Sequence, residues 1–519
     1  MKETASSGRF KVYWRLLSLF GLVVVVGIYS YPNWFSAIPT IEARPSVAHD
    51  VKEDVTTVQP VTQYMSTLVP LGSDDNGDES NVEMSASYAR IVAAYGRSTP
   101  SNHSCPHPSA FHSWRKRFMS PMGPPLKKDC NKLRQNPAQE VKSSNLSLQL
   151  RAWRKITPWV PFAQNYKKMS CDEIRNDFHN NFYVSEVEKD FPIAYILVVY
   201  KAAGQILRLL KAIYEPHNLY CIHPDARQGK DFKVFLDNIA NCLDNVFVVS
   251  KPIEVYYGHI SITDAQLNCM QDLEKYPRSR WKYAINLCGR EIPLKTNREI
   301  VKSLHKLKGY SAVNAYPIPE GHKRHRFTYK FHLDAHGNMH KTQHRQATPP
   351  SGIKLQKSLN FIAASRDFIQ FILHAPISTG LHGYLTTVLD PEEHFYSSLY
   401  VLPQAMGARP PTELLNKSDI PIVDSVIWVF NPSEQVRNKI CPGKTQVHGI
   451  CILSAMEMQK IHNVAVNLEK VFFFFNKYYL ELDPTPMDCM EEALLVANMN
   501  EYIKDCLPNF GKDMLTSFD

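Results

Sequence analysis

The sequence predicts an α/β fold built on a parallel sheet, and two observations carry that prediction. Continuous apolar runs recur between residues 193 and 289, and stretches of helical periodicity separate them. A run that is apolar at every position suits a strand buried on both faces. Alternation of such strands with helices is the pattern of a parallel sheet covered on both sides. IAYILVVY (193–200) reads as the first strand and KAAGQILRLLKAIY (201–214) as the helix after it. NLYCIHPD (218–225) is the second strand, ending in Asp225, and DFKVFLDNIANC (231–242) the second helix. NVFVVS (245–250) is the third strand, DAQLNCMQDLEKY (264–276) the third helix and WKYAINLCG (281–289) the fourth strand. Ligands of such sheets bind beyond the C-terminal ends of the strands, which brings Val198, Asp225 and the loop after Gly289 forward as a candidate site. Further on, HLDAHGNMHKTQH predicts a hairpin turning at His336-Gly337-Asn338, and beyond residue 355 helices and short strands mix.

The first residues carry a different signal. No charged residue lies between Arg15 and Glu42, and the core of this stretch reads LLSLFGLVVVVGIYSY (16–31). An apolar segment of about 20 residues spans a bilayer as a helix. Lys2, Arg9, Lys11 and Arg15 precede it against the single acid Glu3, which predicts a cytoplasmic tail at 1–15 and a signal-anchor at 16–38. The rival reading is a cleaved signal peptide, but no small-x-small cleavage site directly follows the run. Residues 39–125, with SDDNGDES (73–80) and PMGPPLKK (121–128), read as a stem, leaving 126–519 as a lumenal domain. Scattered cysteines without a C-x-x-C pair suit disulfides in an oxidising compartment, where the sequons at Asn102, Asn145 and Asn416 are usable glycosylation acceptors. The net charge of +9 is spread along 519 residues, so nucleic acid is not the expected partner.

Several catalytic signatures are missing. The chain has no G-x-G-x-x-G, no P-loop, no H-E-x-x-H and no D-x-D. His332, His336, His340 and His344 recur every four residues, but Gly337 and Asn338 interrupt any helix that would stack them. A solvated hairpin is therefore expected rather than a metal site. VFFFFNKYY (471–479) reads as a buried strand or helix in which Lys477 needs a partner, either water or a substrate phosphate. Asp390-Pro391-Glu392-Glu393 reads as a solvated helix start with Asp390 as N-cap, although a carboxylate in such a place can also act as a general base.

FPIAYILVVY, NLYCIHPD, DNVFVVS, LNCMQDLEK and WKYAINLCGREIPLKTN follow one another across 191–297. In order and spacing they resemble the core-2/I-branching β-1,6-N-acetylglucosaminyltransferases (glycosyltransferase family 14), whose wider family includes peptide xylosyltransferases. The resemblance implies a Rossmann-like, GT-A type nucleotide-sugar fold without D-x-D. It also implies a single-pass type II protein of the Golgi membrane, with the catalytic domain lumenal. The implied activity is inverting, metal-independent transfer of N-acetylglucosamine from UDP-N-acetylglucosamine to a glycan hydroxyl, with no further cofactor. Glu393 matches the catalytic base. Val198, Asp225, Lys477 and His448 match donor-binding positions. Lys323, Arg326, Trp428 and Phe430 match acceptor-binding positions. The implied disulfides join Cys130 to Cys489, Cys171 to Cys242, Cys221 to Cys269 and Cys441 to Cys451, with Cys288 unpaired. Cys105 and Cys506 have no counterpart.

Four departures from the family pattern stand on the acceptor and diphosphate sides. His448 occupies the column of a diphosphate-binding Arg, Phe430 that of a Tyr, and Ala315 that of a Glu. Lys357-Ser358-Leu359-Asn360 replaces a small-residue motif. A xylosyltransferase-like enzyme and a catalytically silent glycan-binding protein on the same scaffold are the competing expectations.

Overall fold

The structure is a computed structural model that describes residues 126–155, 165–178, 183–276, 280–411 and 420–506. The predicted anchor and stem, Asn102, Cys105 and Asn416 lie outside the described residues. Among the described residues no helix is long and apolar enough to cross a membrane.

The predicted parallel sheet forms the centre. Strands β1 (Ile193–Val199), β2 (Leu219–Pro224), β3 (Val246–Val248) and β4 (Tyr283–Leu287) lie parallel in the order β4-β1-β2-β3, and Ala363–Ser365 adds an antiparallel edge beside β4. The helices Ala203–Ile213, Lys230–Cys242 and Ser261–Lys275 follow β1, β2 and β3 in turn. Although the strand sequences are apolar throughout, their residues divide by parity between two cores. Ile193, Tyr195, Leu197, Tyr220, Ile222 and Ile285 enter one core, while Ala194, Ile196, Cys221 and Ala284 enter the other.

A second, three-stranded sheet carries the aromatic run. Phe472–Asn476 lies parallel to Ile422–Val426 and antiparallel to β5 (Glu291–Pro293), with Phe473, Phe474 and Phe475 fully buried. The run is therefore a strand, and Lys477 follows its last residue. The chain reaches β5 through the turn at Gly289, whose φ of +78 is a left-handed conformation that glycine adopts without strain.

The four implied disulfides are formed, and Cys506 is disulfide-bonded as well. Cys288 is a free thiol. Cys130–Cys489 joins the first described helix, Cys130–Gln135, to the last, Thr485–Cys506. Beside it lies a buried ion cluster in which Arg208 meets Asp488 at 2.8 Å and also Glu491, while Lys128 meets Asp488 at 2.7 Å. Asn145 is exposed on a left-handed residue with φ +57, open to modification.

Candidate active site

One expectation about the acidic turn is overturned. Asp390 does not cap a helix: its φ is +50, its side chain makes no cap hydrogen bond, and Pro391–Glu393 forms a single 3-10 turn. The carboxylate instead pairs with Arg326 Nη2 at 2.7 Å, while the Asp390 N–H donates to the Gly258 carbonyl at 3.0 Å. Nor is the turn solvated. Glu392 is only 8% exposed and its Oε2 has no hydrogen-bond partner, and Glu393 retains 17% of its side-chain exposure.

Three acidic groups within four consecutive residues, Asp390, Glu392 and Glu393, must each be compensated or protonated when buried. Two cations supply it. Arg326, from the helix Glu320–Phe327, donates through Nη1 to Glu393 Oε2, and Lys357 Nζ donates to the same oxygen. Burial alone would raise the Glu393 carboxyl; Lys357 and then Arg326 outweigh it and hold that carboxyl below its ordinary value. Glu392 has no such partner. Burial, reinforced by Asp390, pushes it up to about 8, so it is mostly neutral at neutral pH. His394 completes the arrangement. Its Nδ1 bonds the Gln356 carbonyl at 2.8 Å, which makes that nitrogen the N–H donor, and its Nε2 accepts from Arg326 at 3.2 Å. Burial and then the nearby cation Arg326 drive the imidazole down to about 3, fixing it as neutral.

The two predicted acceptor cations part company. Arg326 is drawn into the carboxylates, whereas Lys323, three residues earlier, stays half exposed with only Glu320 beside it at 3.3 Å. Trp428 and Phe430 form a stacked, exposed pair with ring centroids 5.1 Å apart; Ala315, the residue before Tyr316, is half buried. Phe430 lies against Gly449, where a Cβ would meet its ring at 2.3 Å, so glycine at 449 is what admits the aromatic.

On the donor side, Val198 ends β1 half buried. Asp225 follows β2, 4% exposed, and is clasped by Arg227 at 2.6 Å. The Arg227 guanidinium sits over the Tyr256 ring at 4.2 Å. The next residue, Tyr257, stacks on His448 with centroids 4.4 Å apart and planes 16° from parallel. Burial raises the Tyr257 hydroxyl to about 12, with Asp390, Glu392 and Glu393 adding to the effect. Tyr257 thus joins the carboxylate turn to His448. For His448 itself, burial and then Lys477 lower the imidazole below its usual value, which favours the neutral form. Lys477 is half buried and makes no ion pair among the described residues; burial lowers its ammonium.

The structure therefore brings Glu393, Arg326 and His448 to Tyr257, sets Lys477 on the far side close to His448, and leaves Lys323 outside the cluster. Sequence reasoning missed the roles of Tyr257, His394 and Lys357. Lys357 stood in the sequence only as part of a replaced motif, and no local signal marks a lysine that will meet a carboxylate 36 residues away.

The four histidines of the hairpin do not converge. His332 and His340 face each other across paired strands with rings 5.9 Å apart, His340 bonds Asp334 at 2.8 Å, and His336 and His344 are exposed. The one grouping of three possible metal ligands among the described residues is Cys441, Cys451 and Glu457, and a disulfide occupies both sulfurs.

The family model described as Core-2/I-Branching enzyme matches residues 193–462. The chain belongs to the core-2/I-branching enzyme family. As a member it is a glycosyltransferase of the β-1,6-N-acetylglucosaminyltransferase type. It is 32% identical over 347 residues to the N-acetyllactosaminide beta-1,6-N-acetylglucosaminyl-transferase of Mus musculus, covering 66% of this chain and 82% of that protein. It is 33% identical over 321 residues to the beta-1,3-galactosyl-O-glycosyl-glycoprotein beta-1,6-N-acetylglucosaminyltransferase 4 of Danio rerio, covering 61% and 72%. A viral relative from Bovine herpesvirus 4, named beta-1,3-galactosyl-O-glycosyl-glycoprotein beta-1,6-N-acetylglucosaminyltransferase, is 32% identical over 316 residues, covering 60% and 70%. The matched segment of this family member holds the central sheet, the carboxylate turn and His448.

Proposed function

We propose that this enzyme transfers N-acetylglucosamine from UDP-N-acetylglucosamine to the 6-hydroxyl of a glycan acceptor, inverting the anomeric carbon and using no metal. The observation that carries the reading is Glu393, a buried carboxylate kept ionised by Arg326 and Lys357. A general base must be ionised before the reaction begins, and one serving in a mildly acidic lumen must stay so below neutral pH. The relatives' names supply the transferred sugar and the β-1,6 linkage.

In the proposed step the acceptor hydroxyl gives its proton to Glu393. Its oxygen forms a bond to the anomeric carbon while the bond from that carbon to the diphosphate breaks, and UDP leaves with the electron pair. The sugar passes through an oxocarbenium-like state, as in glycoside hydrolysis. Charge developing on the diphosphate is met by the unpaired ammonium of Lys477 and by an N–H of neutral His448. Val198 and Asp225 hold the uridine nucleotide. Trp428 and Phe430 stack against acceptor sugar rings, while Lys323 and Arg326 contribute cationic donors to the acceptor from their separate places. The apolar segment 16–38 anchors the enzyme in the Golgi membrane as a type II protein.

A second reading, a silent glycan-binding protein, draws its support from His448. A neutral imidazole answers the leaving group's charge less well than a guanidinium does.

The test is an assay of the full chain in detergent with several UDP-sugars, with and without EDTA. EDTA-resistant transfer from UDP-N-acetylglucosamine, reduced about 10³-fold by Glu393→Gln, is the expected result. Use of UDP-xylose instead would redirect the assignment to a xylosyltransferase-like enzyme. Absence of nucleotide binding by calorimetry would leave only the glycan-binding reading.

A further inference from the structure

We propose that Lys357 is a positioning residue for the transfer: with Arg326 it pins one oxygen of the Glu393 carboxylate and leaves the other to face the acceptor hydroxyl. The inference rests on Glu393 being the general base and goes beyond it by assigning which oxygen acts and what holds it.

The hydrogen bonding is one-sided. Both cations bond Oε2: Arg326 through Nη1 and Lys357 through Nζ. Oε1 receives no hydrogen bond from the described residues, and it is not among the buried atoms that lack a partner. A carboxylate clamped at one oxygen by two donors cannot spin about its terminal torsion. Its remaining lone pairs keep a fixed direction, which is what in-line proton transfer requires.

Lys357 is itself held on three sides. Its backbone pairs with Tyr316 in a two-residue antiparallel ladder, Tyr316–Pro317 against Gln356–Lys357. The Ser358 N–H donates to the Glu393 carbonyl at 2.8 Å, and the Gln356 carbonyl accepts from His394 at 2.8 Å. The Gln356 N–H donates to Ser398 Oγ at 2.9 Å. Segment 356–358 thus runs alongside residues 393–398, and the lysine side chain crosses from one to the other. Its own exposure is 14%, so water screens the pair little. Among the described residues Lys357 pairs with no other carboxylate, which separates it from Arg326, whose guanidinium also serves Asp390 and His394.

The groups facing Glu393 are Arg326 and His322 from the helix Glu320–Phe327, Tyr316 and Lys357 from the ladder, Tyr257 from the donor-side loop, and Asp390, Glu392 and His394 from its own turn. Of the cations, Lys357 is the one whose removal leaves Asp390 neutralised, because Arg326 remains. Its loss therefore acts on Glu393 selectively.

The experiment is the pH dependence of kcat/KM for the full chain in detergent, from about pH 3 to 8. The substrates are UDP-N-acetylglucosamine with a β-1,3-galactosyl-O-glycosyl peptide and with an N-acetyllactosaminide, or with water where hydrolysis is read. Lys357→Met is expected to move the acidic limb up by about one pH unit. It should lower kcat about 10-fold, with KM for both substrates within about two-fold. Lys357→Arg keeps the charge and should hold the limb in place; it also serves as the readable variant if the methionine protein does not fold. A uniform loss with an unmoved limb, or a rise in KM alone, overturns the assignment, as does a limb displaced equally by the arginine variant. Glu393→Gln separates this from its parent reading. Full activity in that variant would remove the base itself, whereas an inactive Glu393→Gln beside an unmoved Lys357→Met limb would remove only the role of the lysine. A wild-type chain with neither transfer nor hydrolysis removes both.

Discussion

Glu392 and Glu393 occupy one 3-10 turn, and their surroundings drive their carboxyls in opposite directions. Glu393 meets two cations and is held below its ordinary value, so the stability it contributes is present above pH 4.5 and is lost as pH falls through its folded value. Glu392 is the reverse. With its carboxyl raised from 4.5 to about 8, the folded state binds the proton more tightly than the unfolded chain. Stability therefore falls as pH rises across that window. Glu392→Gln, which cannot ionise, should flatten the decline, giving a thermal midpoint at pH 8 closer to that at pH 5 than in the natural protein. Differential scanning calorimetry at the two pH values checks this, and an unchanged slope would count against it. Neither behaviour is legible in the letters P-E-E. A proline after an acid reads as a capped, solvated helix start. The left-handed Asp390 and the buried neighbour Glu392 come from contacts with Arg326 and Gly258, far away in sequence. Resemblance to a family pointed to Glu393; local pattern alone did not.

At the scale of elements, the strands of the central sheet were legible because continuous apolar runs of that length have few alternatives. The third helix begins at Ser261 rather than Asp264, and the third strand keeps only Val246–Val248 of the predicted 245–250. Such ends depend on what packs against them rather than on their own residues. The hairpin turn at Gly337 was read correctly, but its neighbour was not foreseeable. Strands Tyr329–Leu333 and Met339–Arg345 fold so that Gly337, at φ +83, lies against the Tyr256 ring, where a Cβ would sit 2.5 Å from a ring carbon. The hairpin tip thereby touches the loop that carries Tyr257, the residue stacked on His448, while its Phe331 N–H bonds the Thr387 carbonyl at 2.8 Å near the carboxylate turn. Gly337→Ala should cost about 1–3 kcal/mol, through the left-handed turn and the displaced ring. It should also weaken UDP binding several-fold, because Tyr256 stacks on Arg227, the partner of Asp225. Calorimetric titration of UDP reads the second effect; tight binding retained alongside lost stability would uncouple the hairpin from the donor side.

For the molecule as a whole, disulfides tie together the elements packed around the central sheet. Cys221–Cys269 ties β2 to the helix Ser261–Lys275, and Cys171–Cys242 ties the helix Cys171–Phe178 to the helix Lys230–Cys242. Connectivity of this kind cannot be read from cysteine spacing, because each bridge is decided by which elements the sheet order brings together. Cys130–Cys489 spans 359 residues, so it restricts the unfolded chain more than Cys171–Cys242, Cys221–Cys269 or Cys441–Cys451 does. Replacing both cysteines by serine should lower unfolding stability by about 2–5 kcal/mol, measured by thermal melts under non-reducing conditions. A change below about 1 kcal/mol would show that the buried Arg208 cluster holds these helices together unaided.

That same bridge sets the Cα atoms of residues 130 and 489 only 5.4 Å apart. Between these two residues the described fold is a covalently closed ring of chain. A chain cut at the fully exposed Leu468 would leave its two pieces still covalently joined through Cys130–Cys489. Seen this way, the bridge as much as the unbroken backbone holds the two ends of the described fold together.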